Sequence, residues 1–181
     1  MSRGARHDAS EEELSMKAAF PAILLILALV APAAVASAQM QPLVKVDAPV
    51  FVIRHFQKGP GADPSLSAEG SANAQRLAAI LKDKGIKAIF ATATRRAVET
   101  AEPLAEALGI PVARYDPSNV SSLASAVRAA DGPVLIVGHS NTVPELVALF
   151  GGPRPAPIGE DDYGMLFEAA PDGTVTSTQV R

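Results

Sequence analysis

The fold class predicted by the sequence is a three-layer α/β/α domain whose sheet is mostly parallel with an antiparallel edge hairpin. Three observations predict it. Pro49–His55, Ala88–Ala91 and Pro133–Val137 are short unbroken apolar runs, the pattern of strands buried on both faces. Stretches of helical period stand between them, and strands alternating with helices imply a parallel sheet. Asp172-Gly173, set between Met165–Ala169 and Thr174–Gln179, is a hairpin signal.

The first 38 residues are read separately from that fold. Lys17 precedes an apolar run from Ala18 to Val30, and Ala36-Ser37-Ala38 follows in small residues. A charged start, an apolar middle and a small-residue site make a secretory signal. Glu11, Glu12 and Glu13 do not suit a positive start, so Met16 is the better initiator and residues 1–15 read as a mis-called extension. A membrane helix needs about 20 apolar residues, which favours cleavage after Ala38 over anchoring. The expectation is an exported protein, periplasmic or secreted, with no membrane contact once the signal is cut. Residues 39–48 read as a linker and 49–181 as one domain.

Within that domain, Pro49–His55 is the first strand and Phe56–Leu66, with its Lys, Gly, Pro and Asp, a loop. A helix follows from Ser67, with Ala74, Leu77 and Leu81 on one stripe and Gly85 as its stop. Ala88–Ala91 is the second strand. The next helix covers Arg95–Leu108, with Ala97, Ala101, Leu104 and Leu108 at core spacing and Gly109 ending it. Pro103 inside it predicts a kink or a two-piece helix. Ile110–Ala113 and Leu123–Ala130 give a third strand and a third helix. Pro133–Val137 leads through Gly138-His139-Ser140-Asn141 into a helix from Thr142, with Pro144 in its first turn and Gly151-Gly152 at its end. A proline-rich loop, Pro153–Gly159, precedes the hairpin.

Composition narrows the chemistry. Apolar residues are 48% of the 181, enough for a core, and aromatics only 4%. A net charge of −3 without a basic run gives no sign of a nucleic-acid partner. Zero cysteines exclude disulfides, thiolate zinc sites, cysteine nucleophiles and lipid attachment through cysteine.

Beyond residue 38 the chain has two histidines, and each stands directly after a predicted buried strand: His55 after Val52-Ile53-Arg54, His139 after Ile136-Val137-Gly138. Ligands of open α/β sheets bind at the carboxyl ends of strands. The end of Ala88–Ala91 points at Thr94-Arg95-Arg96, so Arg54, His55, Arg96 and His139 converge on one crevice. Arg54, inside an apolar strand, costs several kcal/mol to bury unless an anion pairs with it. That anion is either Asp63 or Asp116, in an internal salt bridge, or a group of the substrate. Arginine's planar fork matches two oxygens of a phosphoryl group. Histidine suits in-line attack when its other ring nitrogen is held by a backbone carbonyl. The histidines lack HxH or HExxH spacing, so no metal site is expected.

Together, Arg54-His55 after an apolar strand, Ser67-Ala68-Glu69-Gly70, Thr94-Arg95-Arg96 with Thr100-Ala101, and Gly138-His139-Ser140-Asn141-Thr142 resemble the histidine phosphatase superfamily, the phosphoglycerate-mutase-like group. The resemblance runs from Val50 to about Gly152. It implies a phosphoglycerate-mutase-like fold and a metal-independent phosphatase without a cofactor. His55 would be the phosphorylated nucleophile, with Arg54 and Arg96 as clamps and His139 as the second histidine on the phosphoryl group. Arg95 is the alternative to Arg96. Ser140 and Asn141 would line the rim, or equally cap the following helix. The implied substrate is a small phosphoester or a phosphorylated side chain on another protein. Mutase-type transfer and a non-catalytic phosphate-binding module are the alternatives.

The sequence departs from the family pattern after Arg-His, where Phe56-Gln57-Lys58 stands. Gln57, at the pocket rim, cannot ionise, and Phe56 either narrows the mouth or packs beneath it. For the acid that protonates the leaving oxygen, Asp116 lies in the fitting segment. Glu145 reads as a first-turn helix residue, Asp63 as a turn former before Pro64, and Lys58, Arg114 and Arg128 as solvated charges.

Overall fold

A computed structural model describes residues 44–181; the leader and the first half of the linker read above lie outside the described residues. Ten elements follow in order: β1 (Val50–Arg54), α1 (Ala68–Leu81), β2 (Ala88–Ala91), α2 (Arg95–Leu108), β3 (Val112–Arg114), α3 (Val120–Ala129), β4 (Val134–Gly138), α4 (Val143–Phe150), β5 (Met165–Ala169) and β6 (Val175–Gln179). One six-stranded sheet has the order β3-β2-β4-β1-β5-β6. The first four strands of that order pair in parallel. β5 runs antiparallel to β1 and turns back into β6. The expected architecture is the observed one.

Alternation along β1 shows why the sheet needs helices on both faces. Phe51 and Ile53 join Leu77, Leu81, Ala97 and Leu104 of α1 and α2 in one apolar cluster. Val50 and Val52 join Leu123, Val127, Val143 and Leu146 of α3 and α4 in the other. Phe56 is fully buried in the first cluster, beneath the site rather than across its mouth.

Helix ends follow the sequence signals in part: α1 stops at Leu81 with Lys82 as its cap, short of Gly85, and α3 starts at Val120, capped by Asn119, ahead of Leu123. The Ser67 hydroxyl accepts from the Gly70 N–H at 3.1 Å, and Gly109 ends α2 in the left-handed conformation at φ 68°. Pro103 does not divide α2, which continues from Arg95 to Leu108; Ala97, Ala101, Leu104 and Ala105 bury one face along its whole length, and that packing outweighs one missing N–H. Among the described residues no helix is long and apolar enough to cross a membrane.

Parallel pairing of β1 with β4 sets Arg54 beside Gly138, so His55 and His139 leave neighbouring strands side by side. The His55 N–H continues the ladder to the Gly138 carbonyl at 3.0 Å. A side chain at position 138 has no room, since a Cβ there would come within 2.7 Å of the Thr142 Oγ1.

Candidate active site

Two lashings hold the chain that carries His55. The Thr100 hydroxyl accepts from the Phe56 N–H at 3.1 Å and donates to the Arg96 carbonyl at 2.8 Å, tying β1 to α2. On the other side the Gln57 amide donates to Glu69 Oε1 at 2.8 Å and accepts from Asn73 at 3.1 Å. Gly70 completes this contact, because a Cβ there would collide with the Gln57 carbonyl. Gln57 therefore anchors the loop to α1. Its amide is engaged by Glu69 and Asn73 of α1 and has no hydrogen bond to either histidine.

The His55 and His139 rings meet edge to face, centroids 5.2 Å apart. His55 Nδ1 lies 2.8 Å from the Phe56 carbonyl. A carbonyl can only accept, so Nδ1 carries the proton and Nε2 keeps its lone pair. Arg96 Nε donates to that Nε2 at 3.0 Å. His139 Nε2 is 2.8 Å from the Thr92 hydroxyl, which lies 3.3 Å from the Thr94 hydroxyl.

Both imidazoles are held neutral. Burial pushes the His55 pKa down to about 4, against a smaller upward pull from the Phe56 carbonyl and with further downward pushes from His139, Arg96 and Arg54. Burial also pushes His139 down to about 4, with Arg96 and then Arg54 adding to it. Neutral imidazoles beside two guanidiniums leave a lone pair on His55 Nε2 that only the Arg96 Nε–H covers, an arrangement suited to an anionic electrophile that can draw that arginine to itself.

Arg54 is 3% exposed. Its Nη1 donates to the carbonyls of Gly159 (2.6 Å) and Asp162 (3.0 Å), and its guanidinium stacks on Tyr163, 4.1 Å from the ring centre. The anion nearest to it is Glu160, 3.8 Å from Nη2 and largely exposed. Neither Asp63 nor Asp116 plays that part. Nε of Arg54 has no hydrogen-bond partner among the described residues. A hollow of about 500 Å³ opens beside Arg54 and Tyr163, walled by Ile158, Met165 and Phe167.

The second arginine resolves to Arg96. Arg95 is exposed and pairs with Glu99 at 3.7 Å, whereas Arg96 lies against His55. Ser140 is half-buried and Asn141 exposed in the turn after β4; neither caps α4, whose N-cap is Thr142. Asp116 is not brought to the cluster. Its carboxylate is fully exposed, accepts from the Ser118 hydroxyl (2.7 Å) and N–H (2.8 Å), and has its pKa lowered by those same bonds. Glu145 pairs with Arg154 at the start of α4.

Sequence reasoning missed Thr92, Glu160 and Tyr163. Tyr163 had a signal, being one of two tyrosines in the chain and placed just past a proline-rich loop. Among the described residues no group of three or more metal-ligating side chains occurs.

Known proteins resemble this chain in sequence over part of its length and in fold. The family model of the histidine phosphatase superfamily (branch 1) matches residues 54–117. No curated protein matches the sequence. The protein histidine phosphatase SixA complexed with tungstate is 21% identical, with a TM-score of 0.55 over 72% of this chain and 94% of its own. A mycobacterial glucosyl-3-phosphoglycerate phosphatase complexed with inorganic phosphate is 16% identical, with a TM-score of 0.55 over 72% of this chain and 95% of its own. Phosphoglycerate mutase from Bacillus anthracis is 14% identical, with a TM-score of 0.56 over 76% and 94%. At such identities the likeness is one of fold.

Proposed function

We propose that this chain, which belongs to the histidine phosphatase superfamily, hydrolyses phosphate monoesters through a phosphohistidine on His55. The observation that carries the proposal is the His55 ring. Its Nδ1 is committed to the Phe56 carbonyl, its Nε2 lone pair faces the site, and arginines and a second neutral histidine surround it.

In this reading a substrate dianion takes over the Arg96 Nε–H that covers Nε2 in the free enzyme. Nε2 then attacks phosphorus, the bond to the leaving oxygen breaks, and the Phe56 carbonyl stabilises the charge gained by the ring. Arg54, Arg96 and His139 meet the negative charge on the equatorial oxygens, where each preset donor is worth roughly 10²–10³ in rate. Water attacks the phosphohistidine, returns the electron pair to Nε2 and releases inorganic phosphate. The connections between motifs are short, which supports an open site and either a small phosphoester or a phosphorylated side chain of another protein as substrate. The hollow that shares Arg54 with the site, though His55, Arg96 and His139 do not line it, is a place where the organic part would fit. The leader adds export to the proposal, with N-terminal sequencing of the secreted protein expected to begin at Gln39.

The test incubates the protein with 4-nitrophenyl phosphate, quenches in alkali and measures intact mass. A phosphate-sized gain, absent from His55→Ala and accompanied by turnover, supports the proposal. Phosphate binding without turnover would instead mark a non-catalytic phosphate-binding module.

A further inference from the structure

With Asp116 turned to solvent, the site lacks the proton donor expected from the sequence. A different carboxylate reaches the cluster from the loop between β1 and α1. Asp63 Oδ1 accepts from the backbone N–H of Arg95, the first residue of α2, at 3.1 Å. The same oxygen lies 3.6 Å from Arg96 Nη1. Arg96 in turn donates from Nε to His55 Nε2. One rigid, planar guanidinium thus spans the nucleophilic nitrogen and a carboxylate, the span that an in-line phosphoryl group with its leaving oxygen has to fill. We propose that Asp63 is the proton-transfer residue of the reaction, an assignment that rests on the phosphatase reading above.

Glu160 is the rival carboxylate, and geometry ranks it lower. It is 84% exposed, stands 3.8 Å from Arg54, and belongs to the arginine that does not touch His55 Nε2. Asp63 is about half exposed but fixed by a backbone donor, so its carboxylate stays at the mouth of the site.

The charges facing Asp63 change when substrate binds. In the free enzyme they are the Arg96 guanidinium and the Arg95 N–H, both from α2, with neutral His55 beyond; the Arg95 guanidinium is taken up by Glu99. An arriving phosphate dianion engages Arg96 and sets two negative charges beside Asp63, which favours its neutral, protonated form. As His55 Nε2 forms its bond to phosphorus and the leaving oxygen departs, the Asp63 proton passes to that oxygen and releases the alcohol. Asp63, now a carboxylate, takes a proton from the water that attacks the phosphohistidine and is restored when phosphate leaves.

Leaving-group dependence separates this role from a purely structural one. kcat/KM is measured for wild type, Asp63→Asn and Asp63→Glu on 4-nitrophenyl phosphate, phenyl phosphate and an alkyl phosphate. General acid catalysis contributes about 10²–10⁴-fold when the leaving group needs its proton. Asp63→Asn is therefore expected to lose about that much on the alkyl ester and under about tenfold on the nitrophenyl ester. With the nitrophenyl ester it should also accumulate phosphohistidine, because water loses its base. Asp63→Glu should recover part of the alkyl-ester rate. A loss equal across the three esters, or a leaving-group-dependent loss in Glu160→Gln in place of Asp63→Asn, overturns the assignment while leaving the phosphatase reading intact. Absence of wild-type turnover and of phosphohistidine overturns both.

Discussion

His55 and His139 end adjacent parallel strands, share the same cage and are both held neutral by burial, yet each is anchored by a different kind of atom. His55 is held by a backbone carbonyl on Nδ1, which accepts and never donates, so the proton has one place and the lone pair another. His139 is held by the Thr92 hydroxyl on Nε2, which donates or accepts as needed. A fixed acceptor suits the nucleophile proposed for His55, while a two-way partner suits a contact that adapts its proton to the charge beside it. Two similar strand ends thus acquire distinct chemistry from a single hydrogen bond each.

The comparison breaks most sharply at His55. His55→Ala removes the attacking nitrogen, and turnover is expected to fall on the order of 10⁴-fold or more, with no phosphoprotein on intact-mass analysis. His139→Ala should be milder, on the order of 10²–10³-fold in kcat, because it removes a donor and leaves the nucleophile. The phosphate-sized mass gain should therefore survive in His139→Ala. If the two variants fail alike, with neither forming phosphohistidine, the distinction between the rings is wrong.

Acid sharpens the contrast between folding and function. The proposed attack needs an unprotonated His55, so kcat/KM, once corrected for the ionisation of the substrate phosphate, should show no enzyme pKa near 6.5 and should drop through about 4. Stability behaves differently. With both pKa values lowered from 6.5 to about 4, the unfolded chain binds more protons than the folded one between these limits. Each ring's share of stability is then full above about pH 6.5 and declines as pH falls toward 4. His139→Asn removes one such group, so its urea midpoint should fall less than that of wild type between pH 7 and 4.5. An equal fall would show that His139 titrates normally.

Much of this site was legible in the sequence because its main parts are local. Apolar runs marked β1 and β4, and the residue after each marked its open end, so His55 and His139 needed no tertiary knowledge. Arg96 followed from its place at the start of α2. What stayed hidden depends on contacts across the chain. Arg54 meets the carbonyls of Gly159 and Asp162 through a proline-rich segment without periodicity, so neither Tyr163 nor Glu160 could be placed from spacing. Asp116 and Asp63 illustrate the same limit. Both are aspartates beside prolines, and loop geometry alone turns one onto Ser118 and the other toward Arg96. The anchoring of Gln57 was equally hidden, because Gly70 allows its backbone to press against α1, a contact no local pattern announces.

The smallest expected effect falls on the hydroxyl that distinguishes the two rings. Thr92 is 2% exposed, and Thr92→Val keeps its shape while removing the partner of His139 Nε2. A buried polar group left unpaired costs about 1–3 kcal/mol, yet His139 still has its second nitrogen and its packing against His55. A loss of about three- to tenfold in kcat/KM is expected, toward the lower end of that cost, with phosphohistidine formed in normal yield. Thr92→Ser keeps the hydroxyl and should restore most of the rate. Were Thr92→Val as damaging as His139→Ala, the hydroxyl would have to act on the phosphoryl group itself, and His139 would be its support.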